Sequence, residues 1–157
     1  MSIFHNMPLL IALFAIFFAQ FIKIPIYLLV EKKLNLGIFF STGGMPSSHS
    51  AAVSALTTAI AYEAGLDSPL FAISAVFAVI VMFDATGIRY QAGQHALIIN
   101  ELRQDFQYFI REAKDWPEKE PKEKVEELKT LLGHKKIEMV IGAILGILIS
   151  VIAYALF

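Results

Sequence analysis

The string Gly43-Gly44-Met45-Pro46-Ser47-Ser48-His49-Ser50 puts the ingredients of a phosphate site next to one another. Two glycines, a proline and a run of hydroxyls open a helix. Proline suits a helix's first position, and serines there hydrogen-bond free backbone N–H groups. A helix start with spare donors and a positive dipole end attracts anions, phosphate above all. His49 sits one turn in and can give or take a proton near neutral pH. The plain alternative is a capped helix with an incidental histidine.

A second string, Asp84-Ala-Thr86-Gly87-Ile-Arg89-Tyr-Gln-Ala-Gly93-Gln-His95, follows an apolar run. Charges at membrane depth mark function, and arginine presents a planar fork of donors matched to phosphate. The alternative is that Asp84 and Arg89 pair and anchor a helix end. Asp84 also has the chemistry of an aspartyl nucleophile or a magnesium ligand. A lone Asp with one Glu nearby makes a poor metal site, so neither a metal nor another cofactor is expected. His134 and Glu138 lie four apart, on one face at the start of the last apolar stretch. They suit a base with its orienting carboxylate, or a cap that anchors the helix. His5 and the Glu118–Lys129 charge run carry no expected chemistry, the latter reading as a solvated helix face.

The elements that must position these groups are membrane helices. The 157 residues are 57% hydrophobic and 17% charged, with mean hydropathy +0.63, against about 25% charged for soluble domains. Net charge is −1 and there is no cysteine, which excludes a nucleic-acid-binding field, a disulfide scaffold and thiol chemistry. Glu101–Lys136 holds nine basic and nine acidic residues, so one polar segment is set into an apolar chain. Spans of about 20 apolar residues cross a bilayer as helices. The expectation is one all-α membrane domain over 1–157. Its four spans fall at about 7–30, 47–64, 68–87 and 137–157, with an amphipathic segment over 89–136. Small residues in the second span suit close packing, and Gly142 and Gly146 form a GxxxG face on the last. Within 89–136, Ala92, Ala96, Ile99, Leu102, Phe106 and Phe109 mark one amphipathic helix ended by Trp116-Pro117, and a shorter one runs from about Lys122 to Leu132. No basic residue precedes Met7, which argues against a cleaved signal sequence.

If spans two and three form a hairpin, Ser47 and Ala85 lie at the same membrane face, with Lys23 near it. Two histidines, an arginine, a lysine and a helix N-terminus then converge. Lys32-Lys33 and the basic residues from Arg89 to Lys136 place that face in the cytoplasm by the positive-inside rule. Such a set suits phosphoryl transfer, with cations holding oxygens and imidazoles acting as acid and nucleophile.

The Pro46-Ser47-Ser48-His49 string resembles the P-S-G-H motif of the type 2 phosphatidic acid phosphatases, a superfamily that includes vanadium haloperoxidases. The whole chain looks like the divergent PAP2 family of small membrane proteins. Gln20, Lys23, Gly43–Ala51, Asp84–Arg89, Gly93, Asn100, Gly133-His134, Glu138 and Gly142 carry the match. The resemblance implies roles residue by residue. His95, five residues beyond Arg89, would be the nucleophile that forms a phosphohistidine. His49 would protonate the leaving alkoxide. Lys23, Arg89, Ser47, Ser48 and the backbone around Gly44 and Pro46 would hold the phosphate. The chain departs from the parent pattern at Ile88, where a serine is usual, at Ile99, where an aspartate would orient the nucleophile, and at Val30, where an arginine is usual.

Two functions follow. One is a metal-independent lipid phosphate phosphatase acting on a phosphomonoester or diphosphate headgroup: phosphatidic acid, phosphatidylglycerol phosphate and polyprenyl diphosphates all fit. The other is a non-catalytic lipid-phosphate binding or transport protein, which needs the cations and the helix N-terminus but no nucleophile. A structural membrane subunit is the third reading. The expected location is the bacterial plasma membrane, with membrane lipids as neighbours and no nucleic-acid partner. Four short spans bury little surface, which favours a homodimer.

Overall fold

The structure, a computed structural model, describes residues 3–32, 34–112 and 132–156. Five helices carry it: α1 (Met7–Glu31), α2 (Ser48–Ala64), α3 (Pro69–Thr86), α4 (Ile88–Glu112) and α5 (Lys136–Leu156). No strand occurs among the described residues, so the architecture is all-α as expected. Helices α1, α2, α3 and α5 fall on the four apolar stretches. Lys33, Trp116-Pro117 and the amphipathic stretch from Lys122 to Leu131 lie outside the described residues, and Leu132 is non-helical.

The ends of the helices are set by local chemistry. Asn6 Oδ1 accepts the Leu9 N–H at 3.0 Å and starts α1, which runs through Pro25 and stops at Lys32 in the left-handed region (φ 53°). Gly65, with φ 86°, ends α2. Three residues on, Ser68 Oγ caps the Phe71 N–H at 3.1 Å and Pro69 opens α3, which makes a tight hairpin. On α2 the cap is Ser47, so Pro46 precedes the helix instead of occupying its first turn.

Of the helices on the four apolar stretches, the least apolar is the central one. Helix α2 lies between α1 and α5 and also contacts α3. Its Ala51, Ala55 and Ala59 are fully buried against Ile11, Ala15 and Ala19 of α1, with Leu145 and Ile149 of α5 packed on the cluster. Small side chains bring backbones together where lipid offers no hydrophobic drive for association. The GxxxG face of α5 is spent here: a Cβ on Gly142 would overlap Ser47 O, and one on Gly146 would overlap Ala51 O. One turn further, Ser150 Oγ donates to Ala55 O at 2.7 Å. Outer faces carry exposed Phe14, Phe17, Phe21, Val79, Ile80, Ile144 and Leu148, the surface a membrane helix turns to lipid.

Three helical stretches are long and apolar enough to cross a membrane: Met7–Glu31, Pro69–Ile110 and Lys136–Leu156. The second joins α3 and α4, which break only at Gly87. Helix α2, at 17 residues, is shorter than these. Helix α4 is amphipathic as expected; it buries Gly93 and Ala96 and exposes Ile99, Leu102, Phe106 and Phe109.

Candidate functional site

The chemistry-bearing residues meet at one end of the bundle: the start of α2, the α3–α4 junction, the start of α5, and α1 one turn before Tyr27. Three backbone contacts fix this end. The Ser47 N–H donates to Glu138 O at 3.0 Å, the His134 N–H donates to Ala85 O at 2.9 Å, and Gly133 lies against the Arg89–Tyr90 backbone. Gly133 has φ +77° and a Cβ there would overlap both neighbours, so only glycine fits. The sequence expectation that Ser47 and Ala85 share a face is met by the hairpin, and α5 ties the two together.

Lys23 is 1% exposed, and its Nζ donates to Gly43 O at 2.9 Å and to Ser41 O at 3.3 Å. Gln20 Nε2 supports the same turn through Ser41 O at 3.4 Å, while its Oε1 is buried with no partner. Lys23 therefore braces the glycine turn from beneath. Gly44 adopts φ +85°, the Met45–Pro46 bond is cis, and Pro46 is fully buried. Ser47 is committed to structure: its Oγ accepts from the Ser50 N–H at 3.3 Å and lies 3.1 Å from Ser50 Oγ. Ser48, 5% exposed, is the remaining hydroxyl of the expected phosphate cradle.

Arg89 faces two ways. Its Nε pairs with Asp84 Oδ2 at 2.6 Å, and its Nη1 lies 3.3 Å from His49 Nε2. A guanidinium only donates, so His49 Nε2 accepts and the ring proton sits on Nδ1. That Nδ1 is buried and has no partner. The Asp84–Arg89 pairing weighed as a helix anchor is real, and it also aims the guanidinium at His49.

His134 is 1% exposed, and its Nδ1 lies 3.2 Å from Glu138 Oε2. The carboxylate accepts, so Nδ1 carries the proton and Nε2 holds a lone pair. That Nε2 is also buried without a partner. The Lys135 N–H donates to the same Glu138 oxygen at 3.1 Å and fixes it. The His49 and His134 rings face each other edge-on, centroids 5.8 Å apart. His95 is exposed on α4 and makes no hydrogen bond or ion pair with these groups among the described residues. The geometry thus joins Lys23, His49, Asp84, Arg89, His134 and Glu138, and leaves His95 apart. The i,i+4 spacing of His134 and Glu138 signalled their pairing, but nothing in the sequence signalled that His134 would reach His49.

The sequence profile of the Divergent PAP2 family matches residues 4–149. The chain belongs to that family. The chain is 57% identical over 155 residues to a protein of Bacillus subtilis (strain 168) called uncharacterized membrane protein YuiD, covering 98% of each. No solved structure matches. Every candidate site residue, from Lys23 to Glu138, lies inside the divergent PAP2 match. That relative and the three apolar helices support a membrane protein.

Asp84→Asn separates the roles weighed for that carboxylate. On the phosphatase expectation, a carboxylate that only aims Arg89 makes phosphate release by the variant fall about tenfold. Thermal stability in detergent then shifts by under about 1 kcal/mol, because the pair is exposed. Complete loss of turnover would instead make Asp84 the nucleophile.

Proposed function

We propose that this divergent PAP2 protein is a membrane lipid phosphate phosphatase working through a phosphohistidine on His134. The observation that carries the reading is a pair of imidazoles with centroids 5.8 Å apart, each with a buried, unpartnered ring nitrogen: Nδ1 on His49 and Nε2 on His134. Leaving such atoms bare costs about 1–3 kcal/mol each, a cost that a bound phosphate ester relieves. Glu138 supplies the orienting carboxylate that Ile99 cannot, which moves the nucleophile from His95 to His134.

The steps balance as follows. An incoming phosphomonoester draws Arg89 onto its oxygens and frees His49 Nε2, which takes the proton of the ester's own P–OH. The His134 Nε2 lone pair attacks phosphorus. The P–O bond to the lipid breaks, and the leaving oxygen takes a proton from the His49 imidazolium. Arg89 stabilises charge on the equatorial oxygens. Water then attacks the phosphohistidine and gives a proton to neutral His49; the P–N bond breaks and inorganic phosphate leaves with that proton returned. Glu138 holds the His134 ring through both halves.

In this reading α2 is a fourth crossing, both termini are outside, and the site opens at the cytoplasmic face of a bacterial plasma membrane, with a homodimer as the working assembly. The test is phosphate release by the purified protein from phosphatidic acid and a polyprenyl diphosphate, with excess chelator and with and without vanadate. Among the described residues no three His, Asp or Glu side chains group as metal ligands, and both carboxylates near the histidines are already engaged. Release is expected to resist chelator and to fall with vanadate. Tight binding of these lipids with no release would leave the binding or transport reading in its place.

A further inference from the structure

From Leu34 to Tyr62 the chain carries no Asp, Glu, Lys or Arg, and the charges just before that run, Glu31 and Lys32, are exposed at the end of α1. Helix α1 continues eight residues past Lys23 to Glu31, about 12 Å. The chain then comes back, because Lys23 Nζ donates to Ser41 O and Gly43 O. A short 3-10 helix, Leu36–Phe40, lies on this return and seats Ile38, 6% exposed, against α1. The return meets its own backbone needs. Asn35 Oδ1 accepts the Gly37 N–H at 3.0 Å, and Asn35 O accepts the Ile38 N–H at 3.3 Å. Ile38 O accepts both the Ser41 N–H at 3.0 Å and Ser41 Oγ at 2.8 Å. A connection in water leaves such groups to solvent, whereas one in lipid must pair them within the protein.

We infer that residues 34–40 dip back into the bilayer beside α1, and that the acyl chains of the leaflet on that side cover Leu34, Leu36 and Phe40. These three side chains are exposed, Phe40 at 84%, and they carry on the exposed surface of Leu28, Leu29 and Val30 in the last turn of α1. That surface already belongs to a membrane helix, so the apolar patch is continuous with a lipid interface. The absence of charge over the same residues leaves a protein partner no ion to pair with. Headgroups then lie level with Glu31 and Lys32, and the glycine turn held by Lys23 sits about 12 Å beneath them. On α5, the exposed Lys135 and Lys136 extend toward that level through their long apolar stems. This placement holds whether or not the site turns over a substrate.

The chain has no cysteine, so single nitroxide labels report on chosen positions. Phe17→Cys, Glu31→Cys, Leu36→Cys and Phe40→Cys are each labelled in the whole chain and reconstituted into vesicles of phosphatidylcholine and phosphatidylglycerol. All four side chains are exposed, so the labels leave the packing intact, and unchanged melting in detergent verifies this. Electron paramagnetic resonance then reads collisions with oxygen, which concentrates in lipid, and with a water-soluble nickel chelate. Nickel collisions are expected to fall from position 31 to 36 and to be lost at 40, while oxygen collisions rise toward the level at 17. Nickel collisions at 36 and 40 equal to those at 31 place the segment in water and overturn the inference. Shielding of position 40 from both reagents, with dipolar broadening that disappears on dilution with unlabelled protein, assigns the patch to a second copy and also overturns it.

Discussion

Replacing His134 with alanine is expected to lower phosphate release by at least about a thousandfold, and His95→Ala by less than tenfold, on the proposed phosphohistidine route. The difference follows from what surrounds each ring. A nucleophilic imidazole needs its other nitrogen held, so that the lone pair points at phosphorus and the developing positive charge is met. His134 has this in Glu138 Oε2 at 3.2 Å, itself fixed by the Lys135 N–H. His95 is exposed and has no carboxylate partner among the described residues. Glu138→Gln completes the set: the amide can hold the ring but carries no charge, so release falls by about ten to a hundredfold while the protein stays folded. The check is single-turnover phosphate release with an alkaline quench, where base-stable, acid-labile phosphate on the protein marks a phosphohistidine. Full loss in His95→Ala with activity retained in His134→Ala would return the nucleophile to α4.

Most of the helix layout is legible in the sequence because the bilayer imposes it. Spans at 7–30, 68–87 and 137–157 come within one or two residues of α1, α3 and α5, since only helices satisfy their backbones in lipid. The site was half legible. A hairpin across Glu63–Ser68 puts residues 47 and 85 at one end of the bundle, and His49 and Arg89 follow from that. A hydroxyl at a helix start, such as Ser47, serves an anion or a cap equally well, and packing decides between them. Here Glu138 O occupies its N–H and Ser50 its Oγ. The resemblance to the parent superfamily points to His95, because a motif match rests on spacing from Arg89 along the chain and not on contacts in space. The approach of His134 to His49 spans 85 positions and depends on Gly133, Gly142 and Gly146 drawing α5 onto α2 and the α3–α4 junction. Glycine spacing alone does not say which helix such a face meets.

Gly142→Ala and Gly146→Ala are expected to destabilise the detergent-solubilised protein by about 1–3 kcal/mol each, lowering the melting temperature by several degrees, and Leu at either position prevents assembly of the bundle. Each added Cβ runs into a backbone oxygen, Ser47 O or Ala51 O, and backbone cannot step aside as a flexible side chain can. The two alanine variants differ in function. Gly142 sits on Ser47, whose N–H bonds to Glu138 O, so pushing α5 outward there moves the carboxylate that orients His134. Gly142→Ala therefore loses activity even at temperatures where it is folded, by about tenfold or more. Gly146 lies one turn deeper, against Ala51 and Ala55, and its alanine variant keeps the per-molecule rate while melting earlier. Melting curves read beside specific activity below the transition separate the two. If the GxxxG face instead joined two copies of the chain, both variants would dissociate a dimer on size-exclusion chromatography with monomer stability unchanged. The intrachain contact with α2 predicts the reverse: lower melting at unchanged oligomeric size.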